Sequence, residues 1–244
     1  MIVVYVLAGI FGIILLDIVF LGVLALAVKN ENYDKPSGFY GAVYAFHYKL
    51  ALFFCNIKTV VKGKEKLENV SGKFLLVGNH RSNYDPFITV KALKKDIAFI
   101  SKPENFRVPF FGRIVKKCCY MSIDRENPKN AIKTVNRAAG LIKNGTICVG
   151  VYPEGKRSKG KEMLAFHDGV FKIAQKAECP IVVVAVSGTE KIHKRTPFLR
   201  TKVTLEIAGV IPPENFSGLS SHDISSKIYD LIKSTAEKND AESL

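Results

Sequence analysis

The chain has 244 residues, of which 48% are hydrophobic, enough for one sizeable core and too apolar for a disordered protein. Lys and Arg number 36 against 22 Asp and Glu, a net charge of +14 that favours an anionic partner: nucleic acid, anionic lipid headgroups, acidic carrier proteins or phosphorylated substrates. The five cysteines are odd in number, lack C-x-x-C spacing and mostly sit in apolar runs, which argues against a disulfide framework and suits a reducing compartment.

From Met1 to Val28 the chain is apolar apart from Asp17. As a helix this segment would be roughly 42 Å long, more than a hydrocarbon core requires, and it reads as a membrane segment. A secretory signal is the rival, because Ala25-Leu26-Ala27 mimics a cleavage site, but no Lys or Arg precedes the run and it is long for such a signal. Lys29 and Lys35 follow it, which by the positive-inside rule leaves the rest of the chain on the cytoplasmic side of the cell membrane. A second stretch, 39–54, places Phe39, Val43, Phe46, Leu50 and Phe53 on one helical stripe, with Tyr40, Tyr44, His47, Tyr48 and Lys49 elsewhere. That pattern predicts a helix at the headgroup boundary, with an ordinary helix packed on the domain as the alternative. Residues 1–56 are thus expected to anchor the chain through two helices, and 57–244 to form one domain. Asp17 faces the second helix on this picture, or lies near a shallow end of the membrane.

Beyond residue 56, short β-branched runs alternate with helical patterns, the signature of an α/β fold. Strands are predicted near 57–62, 74–78, 97–101, 119–123, 147–152, 181–187 and 202–209. Helices are predicted near 87–94, 104–114, 129–143, 169–177 and 222–237, with Pro128 just inside the third and Gly145 just past its end. The expected architecture is a largely parallel mixed sheet of about seven strands with helices on both faces. The polar tail from Ala236 is expected to fray.

The unusual residues sit at strand exits. Asn79-His80 follow 74–78, Lys102 follows 97–101, Arg125 follows 120–123, and Glu154-Gly155-Lys156-Arg157-Ser158 follow 147–152. If these strands are parallel, their carboxyl ends point one way and the segments converge in one crevice. Within Asn79-His80-Arg81-Ser82-Asn83-Tyr84-Asp85-Pro86, a loop can fold the Asp85 carboxylate onto Nδ1–H of His80 and leave Nε2 as a general base. Such a pair has no nucleophile of its own, so it suits proton abstraction from a hydroxyl that attacks an already activated acyl group. Alternatively Asp85 is a helix N-cap with Pro86 at the first helical position, and His80 a surface loop residue. In the 154–158 loop, Gly155 permits a tight turn, the Ser158 hydroxyl can face an anion and Arg157 can grip a phosphate bidentately, with Lys159 and Lys161 extending the field. A solvated charged loop is the alternative there, and a surface ion pair with Asp124 or Glu126 is the alternative for Arg125. His167, His193 and Cys118-Cys119 lack metal-ligand spacing, so no metal is expected.

Taken together, Asn79-His80 with Asp85-Pro86, Ile123-Asp124-Arg125, the Glu-Gly-x-Arg-Ser of 154–158, and Pro180 with Val186-Ser187-Gly188 resemble the four ordered blocks of the glycerolipid acyltransferases, most closely the bacterial lysophosphatidate acyltransferases. The match spans about residues 57–210. The resemblance implies that His80 is the base and Asp85 its partner, and that Arg125, Glu154, Gly155 and Arg157 serve the acceptor phosphate; Lys102 and Ser158 are candidates for the same phosphate by their places at the strand exits. It implies acyl transfer, without an acyl-enzyme or a cofactor, from acyl carrier protein or a CoA thioester to the sn-2 hydroxyl of lysophosphatidate at a phospholipid surface. Glycerol 3-phosphate or another lysophospholipid is the alternative acceptor. Two departures stand out: Lys156 where Thr is usual, and Phe166-His167-Asp168 in place of a more basic pattern. A non-catalytic lipid-binding protein is the competing class. Nucleic acid is disfavoured, since the chain has no Trp and no RNA-binding signature, and a hydrolase lacks its G-x-S-x-G elbow.

Overall fold

The computed structural model describes residues 1–160 and 162–242. Lys161, expected to extend the positive field of the 154–158 loop, lies outside the described residues, as do the last two positions of the tail.

Two helices open the chain, α1 (Ile2–Leu26) and α2 (Gly38–Phe54). α1 is long and apolar enough to cross a membrane, and its large side chains are exposed along nearly its whole length. α2 is two-faced in an unusual sense. Tyr44, Tyr48 and Leu52 are buried against the domain, while Phe39, Phe46, Leu50 and Phe53 point away from it. Docking on the domain and an exposed apolar stripe therefore occur together, where the sequence offered them as alternatives. Asp17 faces α2: its two carboxylate oxygens each lie 3.2 Å from Nε2 of His47, whose Nδ1 is 2.8 Å from the Val43 carbonyl. A carboxylate in an apolar helix is expensive unless paired, and His47 is the pair.

The rest follows as β1 (Ile57–Lys62), β2 (Leu75–Gly78), α3 (Asp85–Leu93), β3 (Ile97–Ser101), α4 (Phe111–Lys117), β4 (Met121–Ser122), α5 (Pro128–Lys143), β5 (Cys148–Val151), α6 (Lys172–Ala177), β6 (Ile181–Ser187), α7 (Ile192–Arg195), β7 (Thr201–Ile211) and α8 (Ser221–Ala241). The seven strands form one sheet in the order β1–β7–β6–β2–β5–β3–β4. The run β6–β2–β5–β3–β4 is parallel, whereas β7 pairs antiparallel to β6 and β1 parallel to β7. The mixed sheet matches expectation. Strands β2, β5 and β6 are buried at every position, which is why they read as continuous apolar runs. The β2-α3-β3 crossover steps one way across the sheet, and β4-α5-β5 and β5-α6-β6 step back. Right-handed crossovers in opposite directions place α3 on one face and α5 with α6 on the other.

Four predicted boundaries differ. The helix expected over 104–114 breaks, because Pro109 holds Val108 extended and Phe110 takes a positive φ of 60°; a 3-10 turn (Pro103–Arg107) precedes α4. The strand expected over 119–123 shrinks to two residues after Cys119 at φ 63°. The segment 169–177 opens as a 3-10 turn before α6. The tail does not fray at 236: α8, started by a Ser220–Asp223 capping box, runs to Ala241 with Asn239 and Asp240 buried.

Candidate active site

The site begins where β2 leaves the sheet. Asn79 is fully buried, and its side chain pairs with the Val186 backbone of β6, donating to the carbonyl at 2.9 Å and accepting from the amide at 2.7 Å. This imitates one more rung of the ladder and releases the chain at His80.

The loop then turns back on itself. Asp85, with no exposed surface, accepts at Oδ2 from His80 Nδ1 (2.8 Å), Arg81 N (2.7 Å) and Ser82 N (2.7 Å). Because a carboxylate only accepts, Nδ1 carries the proton, and Nε2 is left as the basic nitrogen. Nε2 has no hydrogen-bond partner among the described residues, and His80 lines a cavity of about 700 Å³. Asp85 is the first residue of α3 and makes no cap bond to the helix, so the N-cap alternative does not describe it.

The 154–158 loop holds His80 by its backbone from both sides. The His80 amide donates to Glu154 Oε1 at 2.6 Å, and the His80 carbonyl accepts from the Ser158 amide at 2.9 Å and its hydroxyl at 3.3 Å. Glu154 Oε2 accepts from the Leu164 amide at 2.9 Å, so both carboxylate oxygens are engaged by backbone. Burial is the main force raising its carboxyl above the ordinary value, against the two amide hydrogen bonds. Glu154 and Ser158 therefore face inward, toward the loop they brace, and are not among the residues that line the cavity. The groups that do line it are Lys102, Arg125, Gly155, Lys156, Arg157 and Lys159. Gly155 sits at φ +75° with the Arg125 guanidinium close over it, donating to the Gly155 carbonyl; a Cβ there would stand 2.8 Å from Nη1. Arg125 is thus tied to the loop and not to Asp124, whose carboxylate caps the turn at Glu126 and Asn127. Lys102 is exposed at the rim with Glu104 4.0 Å away.

The far wall is aromatic. Tyr44, Phe87, Phe99, Phe111 and Tyr120 line it, with the Tyr44 and Tyr120 hydroxyls paired at 2.9 Å. Sequence reasoning passed over Tyr152 as a site residue. Its ring stacks on the His80 imidazole at 4.5 Å and on Phe99 at 5.4 Å, and Phe99 in turn covers Gly150, where a Cβ would meet the ring at 2.5 Å. A cavity of this size, cationic at one end and apolar at the other, falls within the roughly 300–1,000 Å³ of ligand sites and suits an amphiphile with an anionic head. Among the described residues no group of three or more His, Cys, Asp or Glu could hold a metal ion.

The acyltransferase family model matches residues 58–187, more than half of the chain, including His80, Asp85 and the 154–158 loop. The 1-acyl-sn-glycerol-3-phosphate acyltransferase of Escherichia coli is 30% identical over 182 residues, 70% of this chain and 73% of the relative. That of Haemophilus influenzae is 27% identical over 168 residues, 69% of this chain and 70% of the relative. The crystal structure of the 1-acyl-sn-glycerophosphate acyltransferase from Thermotoga maritima superposes with a TM-score of 0.64 at 25% identity, covering 80% of this chain and 77% of that one. The chain is an enzyme of the acyltransferase family.

Proposed function

We propose that the protein transfers a fatty acyl group from acyl carrier protein or CoA to the sn-2 hydroxyl of lysophosphatidate, giving phosphatidate. The observation that carries this reading is the His80–Asp85 hydrogen bond at the mouth of a cavity with cations on one side and aromatic rings on the other. His80 Nε2 takes the proton of the acceptor hydroxyl as its oxygen attacks the thioester carbonyl. The tetrahedral adduct collapses with cleavage of the C–S bond, and the departing thiolate recovers the proton from the imidazolium. Positioned bases of this kind contribute about 10²–10⁴-fold in rate. Arg125 and Arg157, helped by Lys102, hold the acceptor phosphate at the rim, and the acyl chain lies among the aromatic rings, where water is excluded.

Residues 1–56 serve as the anchor on this reading. α1 enters the bilayer, the exposed Phe39, Phe46 and Phe53 of α2 lie at its surface, and residues 57–244 work on the cytoplasmic side. A labelled-thioester assay with lysophosphatidate in detergent tests the proposal: transfer should fall at least about 10²-fold in His80→Ala, and near wild-type transfer by that variant would refute it. A panel with glycerol 3-phosphate and other lysophospholipids separates the acceptors.

A further inference from the structure

A second cavity, also about 700 Å³, lies between the last turn of α1 and the segment leading into α4, next to the active-site cavity, with which it shares Phe106, Val108 and Tyr120 as lining residues. Arg107, Arg113 and Lys116 line it, and among the described residues no carboxylate does. Their hydrogen-bond partners are neutral. Arg113 donates to the Val28 carbonyl at 3.0 Å and the Ala25 carbonyl at 3.5 Å, Lys116 to the side-chain oxygen of Asn30, and Arg107 has no partner among the described residues. Burial, and then the neighbouring Arg113 guanidinium, pull the Lys116 ammonium below its ordinary value. Three cations thus share one concavity without a counter-charge, an arrangement that an anion between them would relieve.

The opposite wall is apolar. The Phe110 ring lies against Gly22 of α1, Leu26 is 82% exposed, and the flank of α1 running away from the cavity is uninterrupted hydrocarbon as far as Asp17. A small soluble anion would use the cations and leave this flank bare. A ligand whose phosphate carries acyl chains uses both.

We propose that this cavity binds the phosphate of an anionic phospholipid, separately from the acceptor, with the lipid's chains lying along α1. The inference rests on α1 being a membrane segment and is independent of the chemistry assigned to His80.

The test is native mass spectrometry of the full chain in detergent, titrated with phosphatidylglycerol or phosphatidylcholine. Expected is a one-to-one phosphatidylglycerol adduct at least about tenfold more abundant than that of phosphatidylcholine. It should fall at least about fivefold in the triple variant Arg107→Gln/Arg113→Gln/Lys116→Gln, and survive both Arg157→Gln and excess inorganic phosphate or CoA. Because Arg113 also caps α1, Arg107→Gln alone, at an exposed side chain, is the control for folding and should lower the adduct about twofold or more. Equal adducts for the two lipids, an undiminished adduct in both variants, loss on Arg157→Gln, or displacement by phosphate or CoA would each overturn the proposal. Failure of acyl transfer would leave these readings unaffected, so the two ideas stand or fall separately.

Discussion

The Tyr152 ring lies flat on the His80 imidazole, with centroids 4.5 Å apart and planes 10° apart. The Asp85 bond fixes one ring nitrogen, but rotation about that bond remains open unless something covers a face. Tyr152 covers it, held in turn by Phe99 and by its hydroxyl 3.4 Å from Thr89. Tyr152→Ala should lower kcat about tenfold or more with little change in the acceptor KM, while Tyr152→Phe, which keeps the ring, should stay near wild type. Equal losses in the two variants would mean that the hydroxyl, not the stack, matters.

Asp85→Asn tests the role of the Asp85 charge. All three bonds converge on Oδ2, so an Asn oxygen in that place can still accept from Nδ1–H, Arg81 and Ser82, and what the amide removes is the negative charge that would stabilise the imidazolium formed during transfer. A drop in kcat of about 10²–10⁴-fold is expected with KM nearly unchanged. Steady-state kinetics on folded variant, verified by circular dichroism, decides it.

Arg157 is exposed at the cavity and makes no hydrogen bond among the described residues, so it is available to a phosphate. Charge-assisted bonds of this type are worth about 1.5–3 kcal/mol. Arg157→Gln should therefore raise the KM for lysophosphatidate by roughly 10–100-fold, with a smaller effect on kcat. An acceptor lacking the phosphate should be indifferent to the substitution.

Glu154 is expected to matter for stability first. Glu154→Gln presents an N–H to one of two backbone amides now accepted by the carboxylate, leaving a buried donor unmet. A destabilisation of about 1–3 kcal/mol by denaturant unfolding is expected, accompanied by weaker activity because the His80 backbone loses an anchor.

A pH effect on stability is expected away from the site. His222 Nδ1 lies 2.9 Å from Asp168 Oδ2; this hydrogen bond raises the imidazole above its ordinary 6.5, and the Ser225 hydroxyl, ahead of His222, lowers the Asp168 carboxyl below its ordinary 3.8. The contribution of the raised imidazolium is complete below 6.5 and is lost as pH rises through its folded value. That of the depressed carboxylate is present above 3.8 and is lost as pH falls through its own. The Tm gap between wild type and His222→Gln should be widest between those limits and vanish well above the upper one. A gap constant with pH would place the effect elsewhere.

The central strands and the His80–Asp85 loop were legible in the sequence for a physical reason. Strands buried on both faces are written as unbroken apolar runs, and a cluster of polar residues just past their ends stands out against them. Tyr152 was not legible, since an aromatic residue ending an apolar run looks like more core. For Glu154 and Ser158 the loop has no periodicity from which to read which side chains turn inward. The direction of β7 was also hidden, as burial alternation is the same for parallel and antiparallel neighbours. The order of the tail is hidden because its partners are distant: Asn239 meets Lys62 and Glu206, and Asp240 meets Arg81, all far away in the chain.

That last contact reaches into the timing of assembly. Arg81 is 3% exposed and sits between His80 and the Ser82 amide that steadies Asp85, yet the oxygen that receives it at 2.9 Å belongs to a residue 159 positions later. The guanidinium also lies 3.7 Å from Glu190, so the loop that carries His80 and Asp85 is clamped by carboxylates from two segments far along the chain. Contacts of such long sequence separation close late, because the chain between them must be ordered first, and the strand that bears the histidine can form before the loop beyond it is fixed.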